Sequence, residues 1–145
     1  MKVSVIVLTY NSAATIRQAL DSVLTQRCDF EYEIVVGDDA STDSTREILL
    51  EYAAKNANIR LLLAPTNQGL QNNYYDCLEA SRGTYIADCA GDDFWNNADR
   101  LQLMADALDR SPKVGMVYTD WIKHDLSTGC EQLCHPTLMS DISRR

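Results

Sequence analysis

Val3-Ser4-Val5-Ile6-Val7-Leu8-Thr9-Tyr10-Asn11 sets the reading of this chain. Val3 to Leu8 is a short apolar run rich in Val and Ile, the pattern of a strand covered on both faces, as strands of parallel sheets are. It stops at Thr9-Tyr10-Asn11, and Ser12 is placed to cap a helix whose apolar positions Ile16, Ala19, Leu20, Val23 and Leu24 share one stripe. The alternation then repeats. Glu33 to Gly37 reads as a second strand, and Ser44 and Glu47 have capping-box spacing before the helical face Ile48, Leu49, Tyr52 and Ala53. Ile59 to Leu63 is the next strand, closed by the Pro65 to Gly69 loop. Leu70, Tyr74, Cys77, Leu78 and Ser81 recur at helical spacing, and Gly83 suits a left-handed helix stop. Tyr85 to Cys89 is a further strand, Leu101, Met104, Ala105 and Leu108 mark a helix, and Val114 to Tyr118 reads as a final strand. Strands alternating with helices predict an α/β fold with a mainly parallel sheet between helix layers.

The chain has 145 residues, 46% hydrophobic and 23% charged, a composition that suits one domain with a real core rather than a disordered segment. Its net charge of −8 argues against nucleic acid as a partner, because phosphate backbones are held by clustered Lys and Arg. No apolar run has the roughly 20 residues that cross a bilayer, and Val3 to Leu8 is too short for a signal peptide, so a cytoplasmic location is expected. The five cysteines, Cys28, Cys77, Cys89, Cys130 and Cys134, have no framework spacing and read as reduced thiols. Cys130, Cys134 and His135 make only three of the four ligands that a zinc site takes.

Two acidic pairs stand where strands give way to loops: Asp38-Asp39 after Ile34 to Gly37, and Asp92-Asp93 after Tyr85 to Cys89. Open α/β sheets bind ligands beyond the carboxyl ends of their strands, so both pairs fall at the expected edge. Asp38-Asp39 is open to a capping reading, since Ser41 and Asp43 follow it. For Asp92-Asp93, the next residues Phe94 and Trp95 are expected to draw the loop against the protein. Adjacent carboxylates repel, and protonation or a divalent cation relieves that repulsion. Hard ions such as Mg²⁺ or Mn²⁺ prefer oxygen, and magnesium is commonly held by one or two carboxylates plus water and substrate phosphate.

The motifs resemble those of the inverting family 2 glycosyltransferases of the GT-A fold. The matching segments are Val3 to Asn11, Val36-Gly37-Asp38-Asp39-Ala40-Ser41-Thr42-Asp43, Asn67-Gln68-Gly69, and Gly83 to Ala87 leading to Gly91-Asp92-Asp93-Phe94-Trp95. They occur in the same order and spacing across residues 2 to 121. The resemblance implies a three-layer sandwich in which residues 1–121 bind a nucleoside diphosphate sugar donor, with 122–145 left unassigned. Thr9 and Tyr10 would flank the nucleobase, Asp39 would hydrogen-bond it with Asp38 alongside, and Asn11, Asn67 and Gly69 would belong to the same donor site. Asp92 and Asp93 would act as the DXD-type acids, touching the ribose and holding Mg²⁺ or Mn²⁺ on the diphosphate. The sugar would pass to a hydroxyl acceptor, a glycan or glycolipid, with inversion. Polysaccharide biosynthesis and a peripheral place at the inner membrane follow from the resemblance alone.

The chain departs from that pattern in two places. Ala90 stands where family members usually carry an acid, while Asp88 lies two residues back on the same strand face, about 6 to 7 Å away. The general base that deprotonates the acceptor is expected beyond this chain, as though only the donor half were present; Asp120, Asp125 and His135 have no motif to support that role. One competing reading is a non-catalytic module that binds nucleotide sugars. Another is a nucleotidyltransferase, disfavoured because Leu8 to Ser12 lacks the glycines that cradle phosphates.

Overall fold

The computed structural model describes residues 1–125 and 127–134. The chain divides into two units, Met1–Ala105 and Asp106–Arg145. In the first, the apolar runs become strands β1 (Val3–Thr9), β2 (Tyr32–Asp38), β3 (Ile59–Leu63) and β4 (Tyr85–Ala90). Helices α1 (Ile16–Leu24), α2 (Thr45–Lys55) and α3 (Leu70–Ala80) connect them, and α4 (Arg100–Arg110) follows. The strands form one parallel sheet in the order β3-β2-β1-β4.

Alternate side chains of each strand serve opposite faces. Val3, Val5 and Val7 of β1 and Ile34 and Val36 of β2 pack with Ile16, Leu20 and Val23 of α1, Ile48 and Leu49 of α2, and Leu101 and Ala105. Ile6 and Val35 point the other way and meet Cys77 of α3, with Leu8, Leu62 and Tyr74 around them. Helices thus cover both faces, which explains why β1 carries no polar alternation. Each buried aliphatic side chain contributes about 1.5–3 kcal/mol of transfer free energy. The buried polar groups at the amino edge of the sheet are paired: Ser4 Oγ donates to Glu33 Oε1 at 2.7 Å, and the Arg82 and Gly83 N–H groups donate to Glu33 Oε1 and Ser4 Oγ at 2.7 and 2.8 Å.

Several local expectations change. Thr15, not Ser12, is the residue before α1, and Ser12 instead offers its carbonyl to the Thr15 and Ile16 N–H groups. Ser44 precedes α2 but makes no side-chain cap bond. Asp43 acts in its place, its Oδ1 accepting the Thr45 N–H at 3.0 Å. Gly83 is not left-handed. It is needed because a side chain there would run into the β1 backbone at Val3 and Ser4.

Val114 to Tyr118, expected as a strand, forms none. Val114, Met116 and Tyr118 are all exposed, and a β-rich run becomes a strand only where a neighbour takes its backbone groups. The second unit instead contains an antiparallel hairpin of β5 (Trp121–Asp125) and β6 (Cys130–Cys134), in the stretch left unassigned above. Its turn is set by Asp125 Oδ1, which accepts the Ser127 and Thr128 N–H groups, and by Gly129 at φ 68. His135 lies outside the described residues. Among the described residues, no helix is long and apolar enough to cross a membrane.

Candidate functional site

β1, β2 and β4 finish at one edge of the sheet, and backbone bonds carry the chain straight from ladder to loop. Asp39 N–H donates to the Thr9 carbonyl at 3.0 Å, and Gly91 N–H to that of Leu8 at 2.8 Å. Beyond this edge opens a cleft of about 580 Å³. Its wall includes Thr9, Tyr10, Asp39, Asn67, Gly69 and Asp92. Six of the residues expected at a donor site therefore meet in one place.

Asp39 is buried, at 4% exposure, and its two oxygens are engaged: Oδ1 accepts the Gln68 N–H at 2.8 Å and Oδ2 the Gly69 N–H at 2.9 Å. The carboxylate thus fixes the loop that leads into α3. Gly69 stands at φ 86 as the residue before that helix, a conformation that a side chain strains. Asn73, one turn into α3, is buried and donates to the Gly37 carbonyl at 2.9 Å, holding the helix against the end of β2.

Two expected residues face elsewhere. Asp38 is fully buried off the cleft wall, where its Oδ2 accepts from Arg46 at 2.7 and 2.9 Å. Arg46 also donates to the Ala64 carbonyl at 2.8 Å, so the ion pair ties α2 to the loop after β3. Asn11, at φ 53, directs Oδ1 to the Thr42 N–H at 2.7 Å, while its own N–H donates to Ser41 Oγ. Its place is in the lacing of the β1–α1 loop to the β2–α2 loop, which Ser12 N–H to Thr45 Oγ1 and Ala13 N–H to Asp43 Oδ2 continue.

The loop after β4 is anchored from several elements. Thr15 Oγ1 donates to the Gly91 carbonyl at 2.8 Å, Ser22 Oγ receives the Trp95 N–H at 3.0 Å, and Gln26 Nε2 reaches the Asn97 carbonyl at 2.8 Å. Trp95 enters the core under the Arg100 guanidinium, 5.0 Å from its ring centre. Phe94, expected to pack down with it, is exposed. Asp92 lines the cleft and Asp93 does not. Burial, and next the negative charge of Asp92, push the Asp93 carboxyl up, while Arg100 pulls it down.

Among the described residues, no three His, Cys, Asp or Glu side chains stand close enough to hold a metal by themselves. The cleft wall still suits a hard cation of the kind shared with a ligand, because Asp92 supplies one carboxylate and a diphosphate with water would supply the rest. Asp88, noted above as the carboxylate two residues back from Ala90, lines the cleft too, and so do Tyr74 and Asn73, which the motifs did not mark. Tyr74 was hidden in a helical stripe.

The sequence model for glycosyl transferase family 2 matches residues 4–129. An uncharacterised protein of Mycobacterium tuberculosis is 40% identical over 128 residues, covering 83% of this chain and 37% of that protein. Staphylococcus aureus TarS in complex with UDP-GlcNAc superposes with a TM-score of 0.68 at 35% identity, over 76% of this chain and 32% of that one. A mannosyltransferase from Pyrobaculum calidifontis, in complex with GDP-Man and Mn²⁺, gives 0.71 at 29% identity, over 79% and 34%. The chain thus spans about a third of the length of each of these matched chains, the TarS one being residues 1–349. With its parallel sheet between helix layers and its strand-end cleft, this chain has the GT-A fold and belongs to glycosyl transferase family 2.

Proposed function

We propose that this chain binds a nucleoside diphosphate sugar and forms the donor part of a glycosyltransferase acting with inversion. The observation that carries this reading is the shared cleft of Asp39 and Asp92, with Thr9 and Tyr10 between them at the carboxyl ends of the strands. Half-exposed Tyr10 offers a face for the nucleobase, and Asp39 holds the Gln68-Gly69 backbone in place at that end. Asp92 marks the diphosphate end, where it would hold Mg²⁺ or Mn²⁺. When bound, that ion offsets charge on the departing nucleoside diphosphate as a Lewis acid.

In the reaction, an acceptor hydroxyl oxygen bonds to the anomeric carbon as the bond from that carbon to the diphosphate oxygen breaks. The electron pair leaves with the diphosphate, and the hydroxyl proton passes to a base. Asp125 is engaged in its own turn. The acceptor is a glycan or glycolipid hydroxyl on this reading.

Calorimetry with UDP-GlcNAc and GDP-mannose, with and without Mn²⁺, tests the proposal. Metal-dependent binding that is lost in Asp92→Asn is expected; the same affinity in the variant removes the metal role. Failure of both donors to bind under either condition removes the nucleotide-sugar reading. Binding without slow donor hydrolysis favours the alternative of a non-catalytic module.

A further inference from the structure

β1 and β2 end beneath the cleft in the same way. Thr9 pairs with Asp38 as the last rung of their ladder, and the residues that follow, Tyr10 and Asp39, both line the cleft. After each comes a left-handed residue, Asn11 at φ 53 and Ala40 at φ 60. That conformation costs free energy in any residue with a side chain, less in Asn than in Ala, and it persists only where the surroundings enforce it. Here the enforcing bonds run between the two reversals. Asn11 N–H donates to Ser41 Oγ at 2.9 Å, and Asn11 Oδ1 accepts the Thr42 N–H at 2.7 Å. Thr42 Oγ1 and the Asp43 N–H approach the same oxygen at 3.3 and 3.4 Å. Asn11 is itself off the cleft wall, yet its neighbours on both sides, Tyr10 and Ser12, are on it.

We propose that Asn11 is a positioning residue, which presets Tyr10 as a face for the nucleobase by locking the backbone beside it. This rests on the nucleotide-sugar reading. The Tyr10 ring is 49% exposed, so packing encloses only half of it and its place depends on the backbone at its root. On one side that backbone is held by Thr9, which is buried and whose carbonyl accepts the Asp39 N–H at 3.0 Å. On the other it is held by Asn11, whose carboxamide oxygen takes the Thr42 N–H where the strand ladder has ended. Asn suits this position for two reasons. It tolerates the left-handed region better than most side chains, and its short amide reaches backbone donors nearby. A ring fixed in this way before binding loses less freedom when a base stacks on it.

The test is a double-mutant cycle in calorimetry on the whole chain, with UDP and GDP in the presence of Mn²⁺. Tyr10→Ala should weaken binding about five- to a hundredfold, the range for a base stacked on an aromatic side chain. Asn11→Ala should weaken it about two- to tenfold in the parent, the range for ordering one side chain, and should have little further effect in Tyr10→Ala. Asn11→Asp, which keeps the acceptor oxygen and tolerates the left-handed backbone, should restore most of the affinity. Thermal melting shows which variants fold. Asn11→Gly, which removes the side chain but suits φ 53, takes the place of Asn11→Ala in the cycle if the latter does not fold. Equal losses in the two backgrounds would make Asn11 a general support of the fold and overturn the assignment. So would parent-like affinity in a folded Asn11→Ala protein, or a Tyr10→Ala protein that binds as tightly as the parent. A parent protein that binds neither UDP nor GDP overturns the donor reading itself, and this inference with it.

Discussion

Asp39 Oδ2 accepts the Gly69 N–H at 2.9 Å, linking the end of β2 to the first turn of α3 across thirty residues of chain. The other oxygen takes the neighbouring Gln68 N–H, so one buried carboxylate orders the whole approach to the helix. The acid that the motif marks as a donor contact thus also shapes the loop on that side of the cleft.

Asp39→Ala should therefore act on stability and binding together. Hydrogen bonds to a charged group contribute about 1.5–3 kcal/mol each, and the loop can regain part of that from water. A loss of about 2 kcal/mol in denaturant unfolding is expected, together with loss of nucleotide binding. Full stability with lost binding would show that Asp39 acts only on the ligand.

Asp38 makes the opposite case. Ile34, Val36 and Asp38 share one face of β2, toward α2, and there Arg46 pairs with it; Asp39, one residue on, faces the cleft. Removing Arg46 leaves a fully buried carboxylate without its partner, and because Arg46 itself is partly exposed the cost should lie near the lower end of the range for broken buried pairs, about 3 kcal/mol. Arg46→Met should be destabilising by that amount, and Asp38→Asn in the same chain should recover part of it. An Arg46→Met protein as stable as the parent would show that the pair contributes nothing.

These two adjacent acids show how far the sequence could be read. The β1 and β2 runs were legible because strands covered on both faces are apolar nearly throughout, and the acids after β2 and β4 followed from where the runs stop. Which way each acid points was not legible, because that depends on a helix residue such as Arg46 arriving from elsewhere in the chain. Asn11 was hidden for the same reason: its partner Thr42 lies thirty-one residues away. Val114 to Tyr118 had strand composition but no ladder, whereas the β5–β6 hairpin lies in a stretch whose residues show no strand periodicity and went unassigned.

Asp93 gives a pH dependence. Its carboxyl is raised by burial and by the charge of Asp92, so the folded chain holds this proton more tightly than the unfolded chain. Stability is thus favoured by protonation and falls as pH rises from the ordinary Asp value, about 3.9, through the raised one. Asp93→Asn should remove that fall and stabilise the protein at about pH 7. Urea unfolding of both proteins from about pH 4 to about pH 7 checks it, and parallel profiles would contradict the assignment.

Trp95 connects the acidic loop to the core. Its indole packs in the cluster formed by α1 and the sheet, its N–H backbone donor is held by Ser22, and Arg100 lies over its ring. Replacing a buried aromatic by alanine costs about 3–5 kcal/mol, and here the same side chain fixes the loop that carries Asp92. Trp95→Phe keeps most of the volume and should cost less, while still losing the better face for the Arg100 cation. Because Trp121 is exposed, the blue-shifted part of the fluorescence comes from Trp95 and should vanish in both variants. Trp95→Ala should weaken UDP-GlcNAc binding even at temperatures where it remains folded, and Trp95→Phe should bind nearly as the parent does. Unchanged affinity in a folded Trp95→Ala protein would show that the bonds from Thr15, Ser22 and Gln26 suffice to place the loop.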